Sequence, residues 1–176
     1  MQYISRCRSP LGAVLLAADD RGLTGLWLEG QEHGEKVLAS AREEETPVLA
    51  AARRWLSVYF EGREPDFSVP LHWSGTPFQE EVWAILRTIP YGKTVTYGMI
   101  ARELAARRGT ARMSAQAVGG AVGRNPISII VPCHRVVGAG GNLTGYAGGI
   151  DKKAALLTLE GVDMRSFFIP RKGTAL

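Results

Sequence analysis

A stretch rich in proline, glycine and polar residues divides this chain of 176 residues into two parts. It runs over residues 61–76, EGREPDFSVPLHWSGT, and has neither the apolar spacing of a helix nor the alternation of a strand. Because such a segment continues neither kind of element, the residues on each side must build their own packed units. We therefore predict an N-terminal domain over residues 1–74 and a C-terminal domain over residues 75–176.

The N-terminal part has the pattern of a small α/β domain. Residues 1–30 form short apolar stretches separated by two turn sequences, SPLG at 9–12 and DDRG at 19–22. A helical spacing of large apolar residues then follows over residues 47–60. Strands followed by a covering helix are the expected result.

The C-terminal part is predicted to be mainly helical. Thr76 and Pro77 are residues typical of a helix N-cap and first helical position, and a second and a third helical stretch follow. The strand-like run ISIIV at 127–131, a glycine-rich hairpin over 138–150 and a last helix complete the order. This order is that of a winged helix-turn-helix, although a general helical bundle with a hairpin would read similarly.

Positive charge is concentrated in the middle of the chain. Residues 93–150 carry seven basic side chains and one acidic one, Glu103, whereas residues 1–92 carry nine basic and thirteen acidic ones. Such a segment suits phosphate as a partner, and a solvated basic helix face is the alternative.

The third helical stretch, 114–126, is unusually slim. Gly119, Gly120 and Gly123 each cost about 1 kcal/mol relative to alanine in a helix. Close approach of a bulky partner would justify this cost, and a slim helix fits the minor groove of DNA, where sequence readout is degenerate. Tight packing on a neighbouring helix is the alternative reading.

Cys133 and His134 stand side by side in the run IIVPCHRVVG, residues 129–138. A thiol attacks as its thiolate and needs a base, so this pair predicts a nucleophile with its base, oriented by Glu160 in the last helix. A buried structural cysteine and a metal site are the alternatives. The spacing of two cysteines and three histidines makes zinc the weaker one, and we expect no cofactor.

The motifs around this pair resemble those of the methylated-DNA–protein-cysteine methyltransferases, also called alkylguanine-DNA alkyltransferases. The resemblance extends from Gly75 to Gly161 and is carried by GTPFQEEVW, RTIPYGKTVTYG, AVGGAVGRNP, IIVPCHRVVG, TGYAGG and KKAALLTLEG. It implies a ribonuclease-H-like fold for the N-terminal domain. It also implies DNA repair by irreversible, stoichiometric transfer of an alkyl group from the O6 atom of guanine in duplex DNA to the protein's own cysteine.

The resemblance assigns roles to individual residues. It makes Cys133 the acceptor, His134 its base through a water, Glu160 the residue that orients His134, Asn125 a hinge, and Tyr97 a contact to the flipped nucleotide. The alkyl-base pocket is expected to be lined by Tyr97, Val136, Tyr146, Ala147 and Gly148. DNA is expected to contact Gln116, Ala117, Gly120, Arg107, Arg108, Arg112, Arg124 and Arg135 through the minor groove.

The chain departs from the family pattern at Gln116, where an arginine is expected to fill the gap left by the flipped base. Glutamine brings neither the charge nor the reach of arginine. The stretch before it is longer than expected and adds Arg107, Arg108 and Arg112, and we hypothesise that one of them partly replaces the missing charge. Cys7 has no second cysteine near it, so we predict no metal in the first domain.

Three other protein classes remain open from the sequence, one of them a cysteine hydrolase, which would turn over. A non-catalytic sensor of alkylated DNA is disfavoured by Cys133, and a winged-helix regulator would be expected to dimerise. We expect a cytoplasmic monomer without a signal peptide or a membrane span, because two cysteines make no disulfide framework and no long apolar run is present.

Overall fold

A computed structural model describes residues 1–31 and 34–170 of the chain. Within it the chain divides into two compact units. The first comprises Met1–Ser74 together with Pro126–Ser128, and the second comprises Gly75–Asn125 and the chain from Ile129 onward. None of the described helices is both long and apolar enough to cross a membrane.

The first unit is a four-stranded sheet with one long helix against it. Its elements are β1 (Tyr3–Ser9), β2 (Gly12–Ala18), β3 (Leu23–Leu28), α1 (Glu35–Leu38), β4 (Arg42–Glu43) and α2 (Pro47–Phe60). The strand order is β3-β2-β1-β4, with β4 parallel to β1 and the other pairs antiparallel. The two predicted turns lie between β1 and β2 and between β2 and β3, and the predicted helix has the bounds expected from its pattern.

Helix α2 begins where the sequence provides a cap and covers the sheet with its apolar face. The Thr46 hydroxyl accepts a hydrogen bond from the backbone N–H of Leu49, and Pro47 occupies the first position. Leu49, Leu56 and Tyr59 are buried on the inner face. Burial of such a stripe supplies most of the stability of a surface helix.

Two segments outside the sheet join the first unit through backbone hydrogen bonds to β3. The Leu23 N–H donates to the carbonyl of Pro70 at 2.8 Å, and the Leu26 N–H donates to the carbonyl of Pro126 at 2.9 Å. Part of the connecting segment is therefore tied to the strand, and so are three residues from much later in the chain.

The second unit packs three helices together and adds a short parallel pair of strands and a last helix. Its elements are α3 (Pro77–Leu86), β5 (Val95–Thr96), α4 (Tyr97–Arg108), α5 (Ala115–Gly123), β6 (Val136–Val137) and α6 (Ile150–Leu159). Trp83 of α3 is 2 % exposed, and its indole N–H donates to the carbonyl of Ala121 in α5. Residues 76 and 77 start α3 as predicted, with Thr76 and Gln79 forming a capping box.

The predicted strand over 127–131 is wrong. Ile127 makes a single bridge to Leu26, and the following residues turn instead of extending. Ile129 has φ +70°, the one positive value among the described non-glycine residues. A run of β-branched residues predicts a strand, but here the buried side chains belong to a turn and do not line one face of a sheet.

The predicted glycine-rich hairpin is also absent from the described residues. After β6, Ala139–Gly141 form a short 3₁₀ turn, and Gly141 and Leu143 exchange backbone hydrogen bonds with Phe168 near the C-terminus. The pairing partner of this segment is therefore a later part of the chain, which local turn chemistry does not reveal.

Candidate functional site

The chain bends sharply at the Cys-His pair. Cys133–Arg135 form one turn of 3₁₀ helix after Pro132, whose carbonyl accepts a hydrogen bond from the Arg135 N–H at 3.0 Å. In an extended strand, neighbouring side chains would point to opposite faces. The turn removes this constraint and leaves Cys133 7 % exposed and His134 fully buried.

Asn125 holds the segment that leads into this turn. Its side-chain amide donates to the carbonyl of Val131 at 2.8 Å, and both residues are buried. The same amide is one of the groups that stabilise the thiolate form of Cys133. Asn125, two residues after the end of α5, thus links that helix to the segment that carries the cysteine.

His134 and Glu160 form a buried hydrogen-bonded pair. The His134 Nε2 atom lies 2.5 Å from a Glu160 carboxylate oxygen, and both side chains are fully buried. Burial lowers the pKa of His134, and Glu160 opposes that effect without cancelling it. The imidazole is therefore neutral at rest, with its Nε2–H directed to the carboxylate and a basic Nδ1.

Glu160 stays ionised because several donors converge on it. Besides His134, it accepts hydrogen bonds from Arg135 at 2.8 Å and from the backbone N–H of Gly92 at 3.0 Å. Desolvation opposes ionisation, but these donors prevail and lower its pKa to about 2. The carboxylate thus orients the histidine and balances a buried guanidinium.

Arg135 is buried in the structure and does not lie on the surface as a DNA contact would. It is 8 % exposed, and its guanidinium donates to Glu160 and, at 2.7 Å, to the carbonyl of Ile89. Its positive charge is thus used inside the protein and is not presented to phosphate. Sequence charge counts include buried and exposed arginines alike, which is why the prediction was wrong for this residue.

The Cys133 thiol is protonated at rest. Burial raises its pKa, and this effect outweighs the opposing influence of Asn125, Lys153 and the backbone N–H groups of Cys133 and His134. A buried thiol of this kind is inert until a base accepts its proton.

Lys153 is a site residue that sequence reasoning missed. Its side chain is fully buried in α6, and its ammonium donates to the carbonyls of Val136 at 2.5 Å and Thr144 at 2.9 Å. Burial lowers its pKa to about 8, while the Cys133 thiolate would favour its charged form. One signal was available, since Lys153 precedes Leu156 and Leu157 by three and four residues and so falls on the apolar stripe of the helix.

Tyr97 lies close to the same groups. It is the first residue of α4 and 3 % exposed, and its hydroxyl donates to the carbonyl of Thr144 at 3.1 Å. The Lys153 ammonium stands 5.8 Å from its ring centroid. Among the other predicted pocket residues, Val136 and Tyr146 are buried, Gly148 is partly exposed and Ala147 is exposed.

Helix α5 presents small residues to solvent. Gln116, Ala117 and Gly120 are exposed, whereas Val118 and Val122 face the core. A Cβ atom added at Gly120 or Gly123 would meet nothing within 4 Å. Packing inside the protein therefore does not require glycine at these two positions, which disfavours the tight-packing alternative there.

The other predicted DNA contacts lie on the surface around this helix. They are the exposed residues Arg107, Arg108, Arg112 and Arg124. No group of three or more His, Cys, Asp or Glu side chains in residues 1–31 and 34–170 is placed to hold a metal ion.

Two family profiles match the chain. Residues 3–73 match the ribonuclease-like domain of 6-O-methylguanine DNA methyltransferase, and residues 77–162 match the DNA binding domain of the same family. The chain belongs to the 6-O-methylguanine DNA methyltransferase family.

Curated relatives agree with this assignment. A methylated-DNA–protein-cysteine methyltransferase of Methanosarcina acetivorans is 46 % identical over 160 residues, which cover 90 % of this chain and 98 % of the relative. A constitutive protein of that name from Bacillus subtilis is 38 % identical over 94 % of this chain and 99 % of its own length.

Solved structures of this family share the fold. The O6-methylguanine methyltransferase of Mycobacterium tuberculosis superimposes with a TM-score of 0.78 at 41 % identity, covering 98 % of this chain and 97 % of the other. Mycobacterium tuberculosis OGT in complex with DNA gives a TM-score of 0.76 at 43 % identity, with 90 % and 92 % covered.

Proposed function

We propose that this protein repairs DNA by transferring a methyl or other alkyl group from the O6 atom of guanine in duplex DNA to Cys133. The observation that carries this proposal is that Cys133 adjoins His134, which is hydrogen bonded to Glu160, and that all three residues are buried. The chain that contains them belongs to the methyltransferase family. The protein would act once, because a thioether offers no easy leaving path. The O4 atom of thymine is a second acceptable source.

The first step is removal of the thiol proton. Since the Nε2–H of His134 is held by Glu160, the Nδ1 atom is the nitrogen that accepts this proton, through a water. Glu160 stabilises the imidazolium that forms. Asn125 and the Lys153 ammonium stabilise the thiolate while it exists.

The second step is an in-line displacement at the alkyl carbon. The Cys133 sulfur forms a bond to this carbon while the bond from carbon to the guanine O6 atom breaks. The guanine leaves with the electron pair of that bond and takes a proton from the site, which restores the normal base. Tyr97 is placed to contact the flipped nucleotide, after its hydroxyl releases the carbonyl of Thr144.

DNA would dock on α5. An exposed helix with open glycines allows close backbone approach in the minor groove, and flipping of a poorly paired base costs a few kcal/mol. We assign α4 and α5 to a helix-turn-helix within a DNA-binding domain over residues 75–176. The segment after β6, which pairs with Phe168 instead of forming a hairpin, would take the place of the wing. Residues 1–74 would form the ribonuclease-H-like domain of a cytoplasmic monomer.

Intact-mass spectrometry tests this function. The protein is mixed with a duplex carrying one 6-O-methylguanine, and we expect one methyl group per protein on the peptide that contains Cys133. Cys133→Ser should abolish the transfer and retain DNA binding. Cys7→Ser should still transfer, because Cys7 belongs to β1 of the first unit whereas Cys133 belongs to the second unit.

Two results would contradict the proposal. A methyl group on Cys7 would assign the chemistry to the other cysteine. Binding of the modified duplex without any gain in mass would instead indicate a non-catalytic sensor of alkylated DNA.

A further inference from the structure

Three arginines lie on or directly after the last turn of α4, before Gln116, and their surroundings differ. Arg107 is paired with Glu103 at 2.6 Å, one helical turn earlier. Arg108 donates twice to Glu81 of α3 and stacks over the ring of Phe78 at 5.4 Å. Each of these guanidinium groups is matched locally by a carboxylate.

Arg112 has no such partner among the described residues. It is exposed, no ion pair involves it, and the sequence contains no acidic residue between Glu103 and Asp151. Its charge is therefore fully available to a phosphate. Arg107 and Arg108 would have to give up a carboxylate first.

The loop places Arg112 beside the exposed start of α5. Gly109 ends α4 in the left-handed conformation at φ +65°, and Ser114 caps α5 by accepting a hydrogen bond from the Ala117 N–H. Within this short loop the Thr110 hydroxyl donates to the carbonyl of Arg112 at 3.4 Å. Arg112 is thus two residues before the cap and four before Gln116.

We infer that Arg112 is the residue that compensates for Gln116, by binding a backbone phosphate of duplex DNA docked on α5. This inference rests on the proposed function. Glutamine at position 116 supplies no charge to the DNA, and an unpaired guanidinium nearby restores one phosphate contact. Phosphate contacts position the duplex and raise affinity without reading sequence. Arg112 is thus a binding residue, separate from the chemistry at Cys133.

The test measures the second-order rate constant of methyl transfer from duplex DNA to Cys133 as a function of salt, at duplex concentrations below saturation. Loss of one phosphate contact makes the negative slope of log rate against log salt shallower by about 0.9. It also lowers the rate at 150 mM salt by about fivefold. We expect both changes for Arg112→Gln. Arg107→Gln should give less than half of each.

Two controls separate binding from chemistry. Arg165→Gln removes the same charge from an exposed pair with Asp163 and should leave the slope unchanged. With 6-O-methylguanine as the free base, which has no phosphate, Arg112→Gln and the wild type should react equally fast. Gln116→Arg should restore the duplex rate when added to Arg112→Gln.

The inference fails if Arg112→Gln keeps the wild-type slope and rate, or if Arg107→Gln changes them equally. It also fails if the free-base reaction slows to the same extent as the duplex reaction. In each of these cases the wild type still methylates Cys133. Absence of transfer by the wild type would instead overturn the proposed function.

Discussion

Lys153 is the residue whose charge bears most directly on the reactivity of Cys133. It is fully buried, and its ammonium favours the thiolate. Replacing it by methionine keeps much of the volume but removes the charge. We expect Lys153→Met to raise the pKa of the thiol, shift the pH–rate profile of methyl transfer to higher pH and lower the rate at pH 7 by roughly tenfold, the equivalent of one pK unit.

Stopped-flow measurement of transfer between pH 6 and pH 10 would check this expectation. Lys152→Met is the matched control, since this neighbour is only partly buried. A lower rate with an unchanged pH profile would show that Lys153 supports only the backbone carbonyls it binds.

At the scale of the element, α5 carries glycines that folding does not need. A Cβ at Gly120 meets no neighbouring atom, so Gly120→Ala should stabilise the protein by about 0.5–1 kcal/mol through helix propensity. The added methyl group lies on the exposed face that is proposed to approach DNA. We therefore expect a higher unfolding midpoint together with weaker binding of duplex DNA.

Urea denaturation and fluorescence anisotropy would measure the two effects. Ala106→Gly on the exposed face of α4 should lower the free energy of unfolding. The size of this decrease gives the helix-propensity difference between alanine and glycine in this protein. Stronger or unchanged DNA binding by Gly120→Ala would argue against close approach at this position.

The turn between α5 and the cysteine contains the strained residue Ile129. A β-branched side chain at φ +70° is rare, and the left-handed conformation costs roughly 1–2 kcal/mol for a residue with a Cβ. Ile129→Gly and Ile129→Ala both remove the buried side chain, but only alanine keeps this cost. We expect the glycine variant to be the more stable of the two by about 1 kcal/mol.

Ile127 provides the comparison for this strain. It is equally buried and has no positive φ, so glycine should there be less stable than alanine because of its greater loss of chain entropy. Equilibrium denaturation of the four variants would decide the matter. If the alanine variant is more stable than the glycine variant at both positions, the turn relaxes when Ile129 is shortened.

At the scale of the whole molecule, the buried ionic groups make stability depend on pH. The pKa of Glu160 is about 2 in the folded protein and about 4.5 ordinarily. Between these values the unfolded chain binds the extra proton, so the contribution of Glu160 to stability is fully present above pH 4.5 and is lost as the pH falls toward 2. The loss amounts to about 3 kcal/mol.

The lowered pKa of His134 acts earlier in the same direction, as the pH falls below about 6.5. Denaturation at pH 7, 4 and 3, followed through amide signals of α6, would show the decline. Glu160→Gln should be less stable at pH 7 by about 3–5 kcal/mol, because Arg135 loses its buried counter-charge, and should lose less between pH 4 and 3. An equal decline in both proteins would mean that other carboxylates control the acid transition.

The sequence predicted the parts of this molecule that depend on local patterns. Regular apolar spacing located α2 closely, and the capping residues Thr76 and Pro77 located the start of α3. The sequence also indicated Glu160 as the carboxylate partner of His134, and these two side chains are hydrogen bonded in the structure. Contacts between distant segments were not predictable in this way. Phe168 replaces the expected hairpin partner, and the burial of Arg135 and Lys153 depends on which carbonyls and carboxylates the fold brings to them.

The sharing of Glu160 among His134, Arg135 and Gly92 has a consequence for laboratory evolution of this protein. A substitution at any of the side chains involved alters both proton transfer and the packing of the second unit. In a random library such variants will therefore be lost because they do not fold, before their chemistry can be selected. Diversity is better directed to Ala147 and Gly148, which the family resemblance assigns to the alkyl-base pocket and which are not among the hydrogen-bond partners of Glu160 described above. Variants with altered substrate range can then be recovered from a population that still folds.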